Sequence, residues 1–155
     1  MSESPKYPNE FDDLDFEVIE EHWNEYELDD GSRVRGRLIL RKIITDPHDL
    51  EYCGLDLAPP IFTVHTPISH RGQKNNAPRP DEYYKLPKYE VRIKRADEKY
   101  NRYRILRNGR IVKIKLEVPE INRLTDKFDN EGLPFYLMSH GQSILINDSK
   151  NTIQP

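Results

Sequence analysis

Five histidines and one cysteine are the side chains best suited to catalysis or metal binding, but their spacing is loose. Four residues separate His65 from His70, and four separate His48 from Cys53. Zinc sites use patterns such as Cys-x-x-Cys or His-Glu-x-x-His, and neither occurs here. If two halves of the chain packed about a twofold axis, His70 and His140 would converge. A small metal-dependent enzyme is therefore one alternative, although no metal ligand is assigned.

Cys53 is also a candidate nucleophile, with an acid two residues away at Glu51. The sequence has no glycine-rich oxyanion segment, phosphate loop or dinucleotide fingerprint to accompany it. We therefore expect a buried thiol, no catalytic residue and no cofactor. A single cysteine cannot form a disulfide within the chain, which favours a reducing, cytoplasmic location. Neither a signal peptide nor roughly 18 consecutive apolar residues occur, so no membrane contact is expected.

Basic residues concentrate in a segment whose pattern predicts a β-hairpin. Asn108-Gly109 signals a two-residue turn, because both central residues of a type I′ turn need a positive φ. The turn places apolar pairs on one face, Ile105/Val112 and Tyr103/Ile114, and basic pairs on the other, Arg104/Lys113 and Arg102/Lys115. Like charges directly opposite each other destabilise a hairpin, so the face with the basic pairs requires an anionic neighbour.

Two neighbours could supply the anionic groups, and a face that is merely solvated is the third alternative. Nucleic acid is one, since bases on a strand can track phosphates while nearby tyrosine rings stack on nucleobases. The other is the chain itself: residues 1–31 hold twelve acids and one base (−11), whereas residues 85–115 hold twelve bases and three acids (+9). The pI near 6.0 favours pairing within the chain or between subunits. The predicted binding residues are Arg92, Lys94, Arg102, Arg104, Lys113 and Lys115.

The sequence contains an internal repeat, which predicts a duplicated β unit. Residues 20–26 match residues 97–103 at an offset of 77, and one extra residue then changes the offset to 78. The matched pairs that follow are Asp30/Asn108, Gly31/Gly109, Val34/Val112, Leu38/Leu116, Leu40/Val118, Ile43/Ile121, Gly54/Gly132 and Leu55/Leu133. After a gap, residues 60–62 match residues 134–136, and Ser69-His70 matches Ser139-His140.

Trp23 and Tyr100 occupy matched positions ahead of the two hairpins. Rings at such positions are expected to anchor the core or the contact between the units. An exposed Trp23 would instead mark a partner site, because tryptophan is enriched at binding hot spots. Both residues are therefore predicted as anchors for a partner.

Residues 27–38 resemble the first motif of Sm-like RNA-binding barrels. The likeness lies in the Leu-x-Asp-Gly turn that ends at Gly31 and in the Val-x-Gly-x-Leu strand from Val34 to Leu38. It implies RNA binding by a small barrel. The nearest second motif, at residues 107–112, has an extra residue before its glycine and is explained as the copy of the first. No RNA-binding residue is carried over, and Gly36 is expected to mark a bulge or bend.

These patterns predict an all-β protein built from two hairpin-plus-strand units, which form a small sandwich or paired barrels. The units span residues 16–70 and 89–147, and a proline-rich linker at 71–88 joins them. Residues 1–15 and 148–155 are expected to be flexible.

Within each unit, a polar loop is expected after the hairpin and a short strand after the loop. The loops are predicted at 45–58 and 122–132, the strands at 61–64 and 135–138, and a last strand at 143–147. At most short helical turns are expected, at 46–52 and 119–128.

The function predicted from these observations is that of a non-catalytic binding or assembly module. It would act through protein–protein contacts, charge complementarity and exposed strand edges, with a protein partner or self-association expected. Nucleic-acid binding through the basic hairpin is the first alternative, and the metal-dependent enzyme is the second.

Overall fold

The computed structural model describes residues 12–72 and 78–147, apart from the side chains of residues 50–52. Within these residues the chain forms twelve strands and two short 3₁₀ turns, which confirms the predicted all-β class. The turns are Ile68–His70 and Pro80–Lys85. The strands are β1 (Asp12–Leu14), β2 (Phe16–Glu20), β3 (Asn24–Leu28), β4 (Arg33–Arg37), β5 (Leu40–Asp46), β6 (Asp49–Leu57), β7 (Ile61–His65), β8 (Lys88–Glu90), β9 (Ile93–Asp97), β10 (Tyr100–Ile105), β11 (Ile111–Phe128) and β12 (Pro134–Asn147).

The strands form three antiparallel sheets. One sheet has the order β1-β5-β6, and a second has the order β7-β4-β3-β9. The third has the order β12-β11-β10-β2, with β8 paired to the last part of β11. No helix in the described part of the chain is long and apolar enough to cross a membrane.

Side chains alternate between buried and exposed along the strands, and the buried side chains of both predicted units form one core. In β3, for example, Tyr26 and Leu28 are buried while Glu25 and Glu27 face solvent. The buried residues of the first unit include the predicted row Val34, Leu38 and Leu40. Those of the second unit include Tyr103, Val112, Ile114 and Leu116, in the same cluster.

The leading strands of the two units are exchanged. β2 precedes the first hairpin, β3–β4, but pairs with β10 of the second. In the same way, β9 precedes the second hairpin, β10–β11, but pairs with β3 of the first. Glu20 lies opposite Arg102, and Asp97 lies opposite Glu25. These are equivalent positions at the offset of 77, so the exchange is reciprocal.

Reciprocal hydrogen bonds accompany the exchange. The Tyr26 hydroxyl donates to Glu98 (2.8 Å), and the Tyr103 hydroxyl donates to Glu21 (2.8 Å). Burial and these carboxylates raise the pKa of both tyrosines. Two backbone N–H groups repeat the pattern, that of His22 to Asn101 Oδ1 (2.8 Å) and that of Lys99 to Asn24 Oδ1 (3.1 Å). The two units are thus related by equivalent contacts, while their origin by duplication stays a prediction.

The turn of the second hairpin is longer than predicted. The Ile105 N–H donates to the Arg110 carbonyl (2.9 Å), so residues 106–109 form a four-residue loop in which Gly109 has a φ of 74°. The predicted two-residue turn is therefore wrong, and Tyr103 lies opposite Val112 and Arg102 opposite Lys113. Because the register changes by two residues, each side chain keeps its predicted face.

Segments predicted as polar loops or helical turns are mostly strands. Residues 46–52 belong to β5, β6 and the turn between them, and residues 119–128 belong to β11. In β11, Glu120 and Asp126 face solvent, while Ile121 and Leu124 between them are buried. Pro119 is tolerated because the β11–β12 register shifts there. Gly36 lies in regular pairing with Asn24, so the predicted bulge is wrong.

The later repeat matches do not hold in the sheets. β7 pairs with β4, whereas residues 143–147 of β12 pair with residues 111–115 of β11. Because β4 and residues 111–115 match at the offset of 78, β7 corresponds to the end of β12 and not to residues 135–138. Ser69-His70 lies in a 3₁₀ turn and Ser139-His140 in β12.

The predicted flexible segments are only partly within the structure. Asp12–Leu14 forms β1 on β5, although flexibility is predicted up to residue 15. β8 occupies the corresponding place on β11. The linker contributes the 3₁₀ turn Pro80–Lys85 and the start of β8. Residues 1–11 and 148–155 lie outside the described residues.

Candidate functional site

Acidic residues of β2 lie beside the predicted basic face. Arg102 Nη1 donates to Glu20 Oε2 (3.0 Å), and Arg104 forms an ion pair with Glu17. The hydrogen bond from Arg102 is the main cause that lowers the pKa of Glu20. β2 therefore provides the anionic neighbour that the like-charged hairpin requires.

The six predicted basic residues do not lie on one sheet. Lys94 is on β9, and Arg92 directly precedes that strand, whereas the other four belong to β10 and β11. Lys115 Nζ lies 3.7 Å from Glu117 Oε2. The side chains of Arg92 and Lys94 are exposed. Nucleic-acid binding stays a prediction, and three of its six bases have an acidic neighbour in the chain.

Trp23 and Tyr100 are half-buried, and each ring is covered by a cation. The guanidinium carbon of Arg35 lies 4.7 Å from the centre of the Trp23 ring, and that of Arg37 lies 5.8 Å away. Lys115 Nζ lies 5.1 Å from the centre of the Tyr100 ring. These cation–π contacts give the matched rings matched surroundings. Their role as partner anchors remains a prediction.

A half-buried polar network that the sequence does not reveal is centred on Asp30. Asp30 Oδ2 accepts hydrogen bonds from the Tyr136 hydroxyl (2.6 Å) and from Arg123 (3.3 Å), and Oδ1 accepts one from the Ser32 N–H (2.8 Å). Arg123 Nη1 also lies 2.8 Å from His70 Nδ1. The network joins the first hairpin turn to β11, β12 and the first 3₁₀ turn.

Two pKa shifts show how Asp30 and Tyr136 interact. Burial alone would raise the pKa of Asp30. The hydrogen bonds from Tyr136 and Ser32 outweigh this effect and hold the pKa below its usual value. Burial and the bond to Asp30 raise the pKa of Tyr136 to about 12. The pair is therefore held as carboxylate and neutral phenol at neutral pH, and its geometry is that of a structural clamp.

No group of three or more His, Cys, Asp or Glu side chains in the described residues could hold a metal ion. His70 contacts Arg123 of the Asp30 network, whereas the His140 ring lies 5.9 Å from the Phe62 ring. The two histidines that could have converged thus have different neighbours. Burial raises the pKa of Cys53, which disfavours the thiolate.

Two edge strands in the described part of the chain carry no charged residue. They are β7, at the edge of its four-stranded sheet, and β12, at the edge of its five-stranded sheet. The other strands that end the sheet orders, β1, β2, β6 and β9, each contain at least two charged residues. Charges on an edge strand prevent its pairing with another chain. β7 and β12 are therefore the edges most open to an added strand.

Both uncharged edges expose apolar side chains. Ile61 of β7 is 44% exposed, and Ile144 and Leu145 of β12 are 40% and 48% exposed. Ile144 lies opposite the buried Ile114, while Leu145 lies opposite Lys113 on the outer face of the sheet. The apolar row of the core thus continues to the last strand and ends in solvent.

The two halves of β12 differ in what flanks them. A groove of about 660 Å³ lies beside residues 136–140 and is lined in part by Tyr83 and Tyr84 of the second 3₁₀ turn. No residue of 143–147 lines this groove. We therefore take residues 143–147, together with β7, as the candidate site.

A sequence signal for this site exists. The two longest stretches without Asp, Glu, Lys or Arg are residues 57–70 and 132–147, in a chain that is 33% charged. They contain β7 and β12, respectively. Comparison with known proteins adds nothing to this signal, since no family model, curated protein or solved structure matches the chain.

Proposed function

We propose that the chain is a non-catalytic assembly module that binds protein by accepting a strand at β7 or at residues 143–147 of β12. The observation that carries the proposal is the absence of charge from these two edges, when the other strands that end the sheets are charged. An added strand would pair with the backbone groups that an edge leaves to solvent, and contacts with exposed side chains of the edge would select its sequence.

Charge has a different part in this proposal from the one expected from sequence. The ion pairs Glu20–Arg102 and Glu17–Arg104 lie within the chain, and exposed pairs of this kind contribute only about 0.2–1 kcal/mol each. Contact with a partner then depends on hydrogen bonds of the backbone and on apolar side chains such as Ile61 and Leu145.

The test uses a fluorescein-labelled peptide with the sequence of residues 141–147 and measures its fluorescence anisotropy with the full chain. We expect saturable binding, and loss of binding when the peptide amides equivalent to Ile144 and Ile146 are N-methylated, because these groups can no longer donate. Lysine placed at either edge, Thr63→Lys on β7 or Leu145→Lys on β12, should weaken binding at that edge at least tenfold.

The variants decide between the edges and the rest of the surface. Weakening by one of the two substitutions supports strand addition at that edge. Binding that neither substitution nor N-methylation changes would overturn the proposal, as would the absence of binding.

A further inference from the structure

We infer that the strand added to β12 is β12 of a second copy of this chain, paired antiparallel about a twofold axis at Leu145. The inference rests on the proposed function and names the partner of one of its two edges. It is carried by the side chains of residues 143–147 and by the charges nearest to them.

The side chains of β12 are complementary to themselves about Leu145. An axis at this residue places each Ile144 opposite the second copy's Ile146, on the core side of the joined sheet. It also places Leu145 opposite its own copy on the outer side, and directly opposed side chains lie about 4.5–5.5 Å apart. The pairing would cover Ile144 and Leu145, which are 40% and 48% exposed in the single chain.

The basic residues nearest the axis do not oppose this pairing. Lys113 lies opposite Leu145 on β11, one strand away from the edge. In the pair, Lys113 and its copy are separated by three strand spacings, or about 14 Å. That distance exceeds the Debye length of about 8 Å at physiological ionic strength, so their repulsion is largely screened.

β7 is the edge that corresponds to residues 143–147, and it is less suited to the same contact. Thr63 lies opposite Arg35, as Leu145 lies opposite Lys113. A strand pair about Thr63 would join two threonines on the outer face where β12 joins two leucines. Pairing between β7 and β12 would be head-to-tail and would not close after two copies. The twofold pair at β12 closes, and it covers two large apolar side chains that are exposed in the single chain, Ile144 and Leu145, where β7 has Ile61.

Sedimentation equilibrium over a hundredfold range of concentration tests the inference. The weight-average mass should rise from 18.4 kDa towards twice that value, since a contact of a few residues gives a small, weak interface. Leu145→Lys should abolish the rise, and Leu145→Thr, which gives β12 the residue of β7, should reduce it. Thr63→Lys is the matched control and should leave it unchanged.

Circular dichroism and thermal unfolding test whether each variant is folded, and we expect that they are because positions 63 and 145 are both exposed. A mass that stays at 18.4 kDa, or a dimer that Leu145→Lys leaves intact, would overturn the inference. The peptide experiment separates the two proposals: binding of the peptide by a monomeric chain contradicts the twofold pair and supports strand addition. If the chain neither binds the peptide nor forms a dimer, the result contradicts both the twofold pair and strand addition.

Discussion

Asp30 illustrates how one carboxylate can join distant parts of this chain. Its partners Ser32, Arg123 and Tyr136 come from a hairpin turn and from two strands more than ninety residues later. Because the pKa of Asp30 is lowered in the folded state, its ionised form stabilises the fold. That stabilisation is complete above the unfolded pKa of about 3.9 and is lost as the pH falls through the lower folded pKa.

We therefore predict that Asp30→Asn lowers the free energy of unfolding at pH 7 by about 1–3 kcal/mol. Asparagine retains an oxygen for the Ser32 N–H but loses the charge that faces Arg123. The difference from the unsubstituted chain should shrink as the pH is lowered below about 4. Urea unfolding at several pH values measures it, with Asp29→Asn as the exposed neighbouring control. A pH-independent difference would contradict the electrostatic explanation.

Gly36 is required for close packing. A Cβ at this position would lie 2.7 Å from Phe62 Cε1 and 2.9 Å from Leu116 Cδ2. Gly36→Ala should therefore destabilise the protein by about 1–3 kcal/mol, the usual cost of overpacking a core. Gly141→Ala is the matched control, because nothing lies within 4 Å of a Cβ there. Equal thermal midpoints for the two variants would show that the core adapts to the extra methyl group.

At the scale of strands, alternation and turn signals predict the class, the hairpins and the inward-facing residues. They do not predict β5, β6 and the end of β11, because the many charged residues of these strands give the segments a loop-like composition. They also do not predict the exchange of β2 and β9, since strand partners depend on contacts between distant segments. The Asp30 network is missed for the same reason.

The candidate site is partly predictable. Exposed strand edges follow from the hairpins, and the strand predicted at 143–147 is the last part of β12, which is continuous with the strand predicted at 135–138. The sheet orders must be known before the open edges can be identified. Charge on a strand opposes pairing with another chain only where the strand is at an edge. The predicted basic face depends on the same information, since its neighbour β2 is far away in sequence.

The β2–β10 contact leads to a prediction about nucleic acid. Replacing two acids, Glu17→Gln with Glu20→Gln, should uncover Arg102 and Arg104 and raise the salt concentration at which the chain elutes from an immobilised oligonucleotide. Glu25→Gln with Asp29→Asn removes the same charge away from β2 and should have a smaller effect. Equal elution of the two variants would attribute the change to net charge alone.

For the whole molecule, a shared core and exchanged strands predict a single unfolding transition. Ile114→Val removes one buried methylene from the second unit and should cost about 0.5–1.5 kcal/mol. Trp23, the one tryptophan, lies in the first unit. Ile114→Val should lower the midpoint of unfolding measured by Trp23 fluorescence. It should lower the midpoint measured by far-ultraviolet circular dichroism, which follows all strands, by the same amount. Two separated transitions would show that the units unfold independently.

The exchanged strands also give the opposite charges of the two halves a consequence for folding. If β2 paired with the hairpin that follows it, Glu17 and Glu20 would face the acids of β3, whereas on β10 they face Arg104 and Arg102. On β9, Arg95 is likewise placed beside Glu27, although Asp97 lies opposite Glu25 and pairs with Lys99 instead. Each surface ion pair is weak. The charges nevertheless attract in the observed strand order and repel in the other, so they add to the difference in free energy between two orders that bury similar apolar side chains. The charge polarity of this chain thus discriminates against the wrong topology before any partner is met.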